Sequence, residues 1–134
     1  MIDLENDIFD VVAKALRTAH SGIFVTSEMV PIDVKLPAVS IVEADNRVIE
    51  DMRTLNIENA VHVMYEVNIY SDKVPGQKSE AKAIAATLDT SFASLNFTRT
   101  MKNQVPNFND ARIYRIVCRY EADIDKDLWI YHNS

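Results

Sequence analysis

The sequence predicts an α+β fold in which a mostly antiparallel sheet of about four to five strands is flanked by an N-terminal helix and a central helix. Apolar and polar side chains alternate over residues 61–70, which is the two-residue period of a half-buried strand. Apolar side chains recur at helical spacing over residues 4–19 and 79–95. Two further alternating segments, residues 96–103 and 111–123, predict a hairpin after the second helix.

The N-terminal helix is predicted from its apolar spacing and from its ends. Ile8, Val12 and Leu16 recur every four residues, acidic side chains crowd the first turn, and Gly22 follows the last turn. The apolar stripe of this helix must therefore pack on another element.

The segment between the first helix and the long strand is less regular. Residues 23–26 suit a short strand, Pro31 and Pro37 interrupt regular structure, and residues 38–42 suit a short buried strand. Residues 43–60 are mostly polar and have no clear period, which predicts a long loop. Because such long loops usually serve a function, we interpret it as a partner-binding element that is mobile until bound. A plain surface excursion is the alternative.

The C-terminal half is predicted to complete the sheet. Pro75 and Gly76 indicate a turn between the long strand and the second helix. In the last hairpin strand, Ile113 and Val117 interrupt the polar face. We therefore expect the second face of the sheet to be partly covered by a helix, the C-terminal tail or a neighbouring subunit. Residues 127–134 suit a short last strand.

The composition is that of one domain spanning residues 1–134. Apolar residues make up 48% of the chain, which is enough for a buried core and argues against disorder. No apolar run approaches the ~20 residues that span a bilayer, and the N-terminus is acidic where a secretory signal would be basic. We therefore expect no membrane partner and assembly in the cytoplasm.

The charge is negative overall and unevenly distributed. A net charge of −6 and a pI near 5.0 disfavour a dedicated nucleic-acid binder, which normally presents a basic patch. Acidic residues dominate both termini and residues 43–58, whereas basic residues dominate residues 73–102. Such segregation suits subunits that meet acidic face to basic face, the heterologous contact from which rings are built. Charges that only solvate different faces of a monomer are the alternative.

Charged residues of these regions are the predicted subunit or partner contacts. The candidates are Glu43, Asp45, Arg47, Glu50, Asp51 and Arg53 in the long loop, with Lys73, Lys78, Lys82 and Arg99 as a basic counterpart.

The sequence contains no constellation that predicts a catalytic, metal-binding or cofactor-binding residue. Gln77 interrupts an approximate phosphate-binding loop at residues 76–79. The three histidines lie far apart, without a second ligand at metal-site spacing, and are interpreted as surface residues. His62 and Glu66 share a strand face and could form an acid–base pair, although solvent-facing strand residues give the same pattern and are favoured. Cys118, the single cysteine, is predicted to be a core residue.

Four segments carry a resemblance to a known family. They are VEADNR, YEVNIYSDK, GQKSEAKAIAATLD and SLNFTRTMKNQVPNFNDARIYRIVCRYEA. In that order and spacing they resemble the tail terminator family of long-tailed bacteriophages, also called tail-completion or tail-to-head joining proteins. The resemblance covers residues 42–131 and rests on the order of segments, because the family has no short catalytic signature.

The resemblance implies a structural virion protein rather than an enzyme. Such subunits assemble in the host cytoplasm as a hexameric ring at the head-proximal end of the tail tube, where they end tube polymerisation. The implied partners are further copies of the chain, the tail tube protein and the head connector or stopper protein. DNA passes through the ring without specific binding, and an acidic lumen suits that passage because it repels phosphate. A head-completion or stopper protein of the neck, and an unrelated ligand-binding or enzymatic α+β domain, are the alternatives.

Overall fold

Two helices and a six-stranded sheet make up the part of the chain that the computed structural model describes, namely residues 1–31, 33–50, 59–106 and 110–132. In chain order the elements are α1 (Glu5–Ala19), β1 (Phe24–Thr26), β2 (Ala38–Val48), β3 (Ala60–Ser71), α2 (Gln77–Ser94), β4 (Thr98–Gln104), β5 (Tyr114–Asp125) and β6 (Ile130–His132). The predicted α+β class, with its N-terminal and central helices and mostly antiparallel sheet, is confirmed.

The central strand of the sheet is β3. The strand order is β1-β2-β3-β5-β4, and β6 pairs with β5 along the same edge as β4. The short β1 runs parallel to β2, and the other described pairs are antiparallel. Every residue of β3 from Ala60 to Ser71 has a partner on β5, and β2 pairs along its other edge. The hydrogen-bonding groups of this long apolar strand are thereby satisfied without water.

Both helices cover one face of this sheet. The alternation of β3 sends Val63, Tyr65 and Val67 to that face, where each is at most 1% exposed. Helix α1 packs against α2 and β1, and α2 packs against β3, β4 and β5. The apolar stripe of α1, including Val12 and Leu16, is buried in the same core. The predicted periodicities therefore identify the core side of β3 and of both helices correctly.

An aromatic cluster ties α2 to the middle of the sheet. The ring of Phe92 stacks on Tyr120, with centroids 4.2 Å apart and planes at 9°. Phe97 meets Phe92 edge to face at 5.3 Å and Tyr65 edge to face at 5.6 Å. These geometries add to the burial of four large side chains. The cluster joins one helix to two adjacent strands and so fixes how the helix lies on the sheet.

Strand β2 corrects the prediction of a loop over residues 43–60. The strand continues to Val48, and its pairing with β3 skips Ala44 between Glu43 and Asp45. Such a bulge moves the inward and outward alternation by one residue, which removes the regular two-residue period from the sequence. Residues 51–58 of the predicted loop lie outside the described residues.

The second face of the sheet is covered partly by side chains of its own strands. Arg115 donates from Nη2 to Asn68 Oδ1 at 2.7 Å, and its guanidinium lies 5.4 Å from the Tyr70 ring centroid. Val117, between Arg115 and Arg119 on β5, is only 6% exposed. In the described part of the chain no helix packs on this face, and β6 lies at the sheet edge. Arginine stems therefore account for the apolar interruption that suggested a covering helix or tail.

We expect Phe92→Ala to lower the free energy of unfolding by about 3–5 kcal/mol, because it removes a buried ring and leaves a cavity. Urea denaturation followed by circular dichroism measures this change. Met29→Ala is the control, since Met29 is 88% exposed and its truncation should change stability by at most about 0.5 kcal/mol. A loss below about 1 kcal/mol for Phe92→Ala would contradict the central role of the cluster.

Candidate functional site

The two ends of the sheet differ in charge. Strands β3 and β5 pair from Ala60 with Asp125 at one end to Ser71 with Tyr114 at the other, and we call these the Ala60 end and the Ser71 end. The charged residues toward the Ala60 end are mostly acidic. Among the described residues they are Asp3, Glu5, Asp45, Glu50, Glu121, Asp123, Asp125 and Asp127, against Arg47 and Lys126, while Glu43 lies nearer mid-sheet opposite Tyr65. Three acidic segments that are remote in sequence thus meet in one region.

Glu43 lies where α1 begins, on the helix side of β2. Tyr65 Oη donates toward Glu43 Oε1 at 3.5 Å. Burial raises the pKa of Glu43, and the nearby carboxylates of Glu5 and Asp3 raise it further. The acidic region therefore contains like charges that repel one another, and a cationic partner would relieve this repulsion.

Asp45 and Arg47 lie beyond the bulge of β2 on the opposite face. Arg47 Nη1 and Asp45 Oδ2 are 3.3 Å apart, and the two side chains are 65% and 40% exposed. An exposed pair of this kind contributes little to stability. Two predicted contact residues therefore face solvent and are free to exchange partners. Glu50 is exposed just after β2, while Asp51 and Arg53 lie outside the described residues.

His62 was wrongly predicted to be a surface residue. It is 4% exposed, with Nδ1 2.8 Å from Asp123 Oδ1 and Nε2 2.8 Å from Glu121 Oε1. In its imidazolium form the ring donates to both carboxylates. Glu66, its predicted acid–base partner, instead accepts a hydrogen bond from Arg119 Nη2 at 3.2 Å.

The arrangement around His62 links two strands. Hydrogen bonds from Thr100 and His62 lower the pKa of Glu121. The sequence does show two acidic residues, Glu121 and Asp123, two positions apart on one face of β5, and these could have suggested a buried basic partner. The cross-strand register that brings His62 opposite Asp123 could not be read from it. His62 thus acts as a polar connection between β3 and β5.

The Ser71 end carries the predicted lysines. Lys73 is exposed in the turn after β3, and Lys78 and Lys82 are exposed on the first turns of α2. Four residues apart on a helix, Lys78 and Lys82 point to the same side. Gln77 at the start of α2 donates to the carbonyl of Arg112 at 3.3 Å, which holds the helix start beside the β4–β5 connection. The three lysines therefore form one accessible group.

Arg99 does not lie with these lysines. Its Nη1 is 2.6 Å from Asp89 Oδ2, and Asp89 Oδ1 accepts a hydrogen bond from Tyr120 Oη at 2.6 Å. Asp89 follows Lys78 by eleven residues, which is about 16 Å along the helix axis. Arg99 thus joins β4 to α2 in mid-sheet, and its place in a shared basic patch is not supported.

Cys118 is fully buried, as predicted, and burial raises the pKa of its thiol. Within the described ranges, no three histidine, cysteine, aspartate or glutamate side chains are grouped so that they could hold a metal ion. The described helices include none that is long and apolar enough to cross a membrane. Comparison with protein-family models and with curated proteins finds no match to this chain.

We expect His62→Leu to lower the free energy of unfolding at pH 7 by about 2–4 kcal/mol, because two carboxylates lose a shared donor. The change should also alter the acid dependence of stability. A lowered folded pKa of Glu121 gives stability that is present above its unfolded value of 4.5 and is lost as the pH falls through the folded value. As the pH falls below about 5, the free energy of unfolding should therefore decrease less in the variant than in wild type.

Urea unfolding at several pH values measures both effects. His20→Leu is a matched control, since His20 Nε2 contacts Thr87 Oγ1 at 2.8 Å and no carboxylate hydrogen bond is described for it. The control should lower the free energy of unfolding by about 1 kcal/mol and leave the loss of stability at acid pH unchanged. If the stability of His62→Leu falls with decreasing pH as steeply as that of wild type, the assigned role of His62 is contradicted.

Proposed function

We propose that this protein is a structural virion protein that caps the head-proximal end of a phage tail tube. It ends tube polymerisation and joins the tail to the head connector. Its subunits form a ring, a hexamer by the family resemblance, that contacts the tail tube protein and the connector or stopper protein. The ring acts by binding and performs no catalysis.

The observation that carries the proposal is the excess of acidic residues at the Ala60 end, compared with a Ser71 end at which Lys73 and Lys78 lie among both basic and acidic residues, the latter being Asp72, Glu80 and Asp110. Copies that meet head to tail bring Lys73, Lys78 and Lys82 of one subunit toward the acidic region of the next. That contact would neutralise the repulsion around Glu43. Because it uses two different surfaces, it leaves free ends unless the subunits close a ring.

The second face of the sheet supports the same proposal. It presents Arg115, which bonds to Asn68 and lies over the Tyr70 ring, and Arg119, which bonds to Glu66, with no described helix above them. Aromatic and arginine side chains are enriched where proteins bind one another. This face is therefore suited to contact the tail tube or a neighbouring subunit.

The excess of carboxylates suits a ring through which DNA passes. Asp125, Asp127 and Glu50 are exposed or half-exposed and gather at one end of the sheet. If the carboxylates of this end that the subunit contact leaves uncovered line the lumen, their charge repels phosphate and prevents the DNA from binding.

The alternative of a small ligand-binding or enzymatic domain has less support from the geometry. One depression lies between the helices, and another is lined by residues that include Asp89, Arg99 and Tyr120. Neither contains His62, Glu66 or Cys118, the residues on which a catalytic hypothesis rested.

Negative-stain imaging of the concentrated protein, alone and with purified tail tubes, tests the proposal. We expect rings of uniform diameter, extra density at one tube end and an arrest of tube growth. Continued elongation without added density would overturn the terminator role. Pull-down against the tail tube protein and the connector, each immobilised separately, distinguishes a terminator from a neck stopper, which would bind the connector alone.

We expect the double variant Lys78→Glu, Lys82→Glu to weaken ring formation at least about tenfold at low salt, because it places acids against an acidic neighbour. Light scattering over a protein dilution series measures the change. The control, Lys35→Glu with Lys102→Glu, has the same net charge, changes two exposed lysines outside the proposed contact and should assemble more strongly than the test variant. Assembly of wild type that is unchanged across a salt titration would remove the electrostatic part of the proposal.

A further inference from the structure

The turn between β5 and β6 displays two large apolar side chains. Leu128 is 50% exposed and Trp129 is 68% exposed, and we call this pair the knob. Exposed tryptophan is uncommon in a monomer surface and is enriched among the residues that dominate binding energy at interfaces. The knob lies at the Ala60 end of the sheet, beside the acidic residues Asp125 and Asp127.

The backbone of the knob is held rigidly. Asp125 Oδ1 accepts hydrogen bonds from the amides of Asp127 at 2.9 Å and Trp129 at 3.0 Å, and Oδ2 accepts one from Tyr131 Oη at 2.9 Å. Leu128 has a φ of 68°, which is unfavourable for a residue with a branched side chain. A turn that keeps such a conformation and still exposes its apolar residues is preorganised for binding.

An open groove lies on the outer side of the helix layer. It has a volume of about 530 Å³ between α1 and α2, and its surface is mostly apolar. Val11, at its edge, is 45% exposed. The residues that line it are small: Val11, Ala15, Ala86, Thr87, Thr90, Ser91 and Ser94. A volume of this size accommodates side chains as large as those of the knob.

We propose that the knob of one subunit inserts into the α1–α2 groove of a second copy of this chain, a contact that rests on the proposed ring. The charges around the two features match. Asp127 beside the knob is exposed and acidic, whereas Lys82 precedes Ala86 by one helical turn on the groove rim. Lys14 borders the groove on α1, and Asp7 lies one turn before Val11 at its other end.

The positions of the two features determine the type of contact. The knob lies at a sheet edge and the groove on the helix layer, so the contact joins two different surfaces of the chain. In the proposed ring, each subunit offers its knob to one neighbour and its groove to another. This insertion also brings Lys82 to the acidic region of the neighbour, the pairing on which the proposed ring depends.

Two variants that each disable one half of the contact test the inference. Trp129→Ala removes the knob, and Ala86→Phe fills the groove at an exposed position. Each should weaken self-association at least about tenfold by light scattering. An equimolar mixture should restore association but stop at pairs of unlike chains, because only one intact knob and one intact groove are available to each pair.

Met29→Ala should behave as wild type in the same assay, and circular dichroism checks that every variant keeps its fold. Trp129→Phe should recover part of the association that Trp129→Ala loses. Self-association of Trp129→Ala at wild-type strength, or a mixture no stronger than its components, would overturn the inference.

Cysteine pairing on tail tubes separates this contact from the proposed function. Oxidation of the double variant Asp127→Cys, Lys82→Cys should give a ladder of linked chains, whereas Asp127→Cys with Met29→Cys should not, because the exposed Met29 belongs to neither side of the contact. The native Cys118 is buried and does not interfere. A ladder without tube capping supports the contact and refutes the terminator role. Tube capping without a ladder supports the terminator role and refutes the contact. If neither a ladder nor tube capping is seen, the contact and the terminator role are both refuted.

Discussion

The pairing of β3 along both of its edges is the constraint on which the rest of this structure depends. β3 is the most apolar long strand, and its position between β2 and β5 satisfies its backbone while burying Val63, Tyr65 and Val67 under the helices. The antiparallel register then determines which charged residues of β2 and β5 lie at each end. The placement of the candidate contact residues follows from this pairing and not from any local preference of their own.

In the described part of the chain, helices pack on only one face of the sheet, so no described helix covers the other face, the two sheet ends or the edges. The polar second face is stable without a covering helix because its arginines bond to neighbouring strands and shield residues such as Val117. This arrangement suits the proposed binding role, since a sheet covered on both faces would expose fewer surfaces to partners. The knob at the Ala60 end and the α1–α2 groove on the helix layer are two further surfaces that the proposed subunit contact uses.

Two local features cost stability within a single subunit. Glu43 is partly buried near Glu5 and Asp3, and Leu128 has a left-handed backbone conformation. Costs of this kind are common at binding sites, where a partner compensates them. His62 shows the opposite case, because a buried polar residue at the same end is fully engaged by Glu121 and Asp123. Unusual environments alone therefore do not identify a binding residue, and the available surface around each must also be considered.

The sequence by itself determined the class of fold, the two helices, the long strand β3, the hairpin of β4 and β5, and the burial of Cys118. These depend on local periodicity, which is visible along the chain. Only the tertiary structure decided that residues 43–48 extend β2, that His62 is buried between two carboxylates and that Arg99 belongs with Asp89. A bulge erases the period of a strand, and cross-strand partners are remote in sequence, so neither leaves a local signal. The same reason applies to charge: composition revealed acidic and basic segments, but the register of β3 with its neighbours decided that acidic residues meet at the Ala60 end while Arg99 lies in mid-sheet beside Asp89.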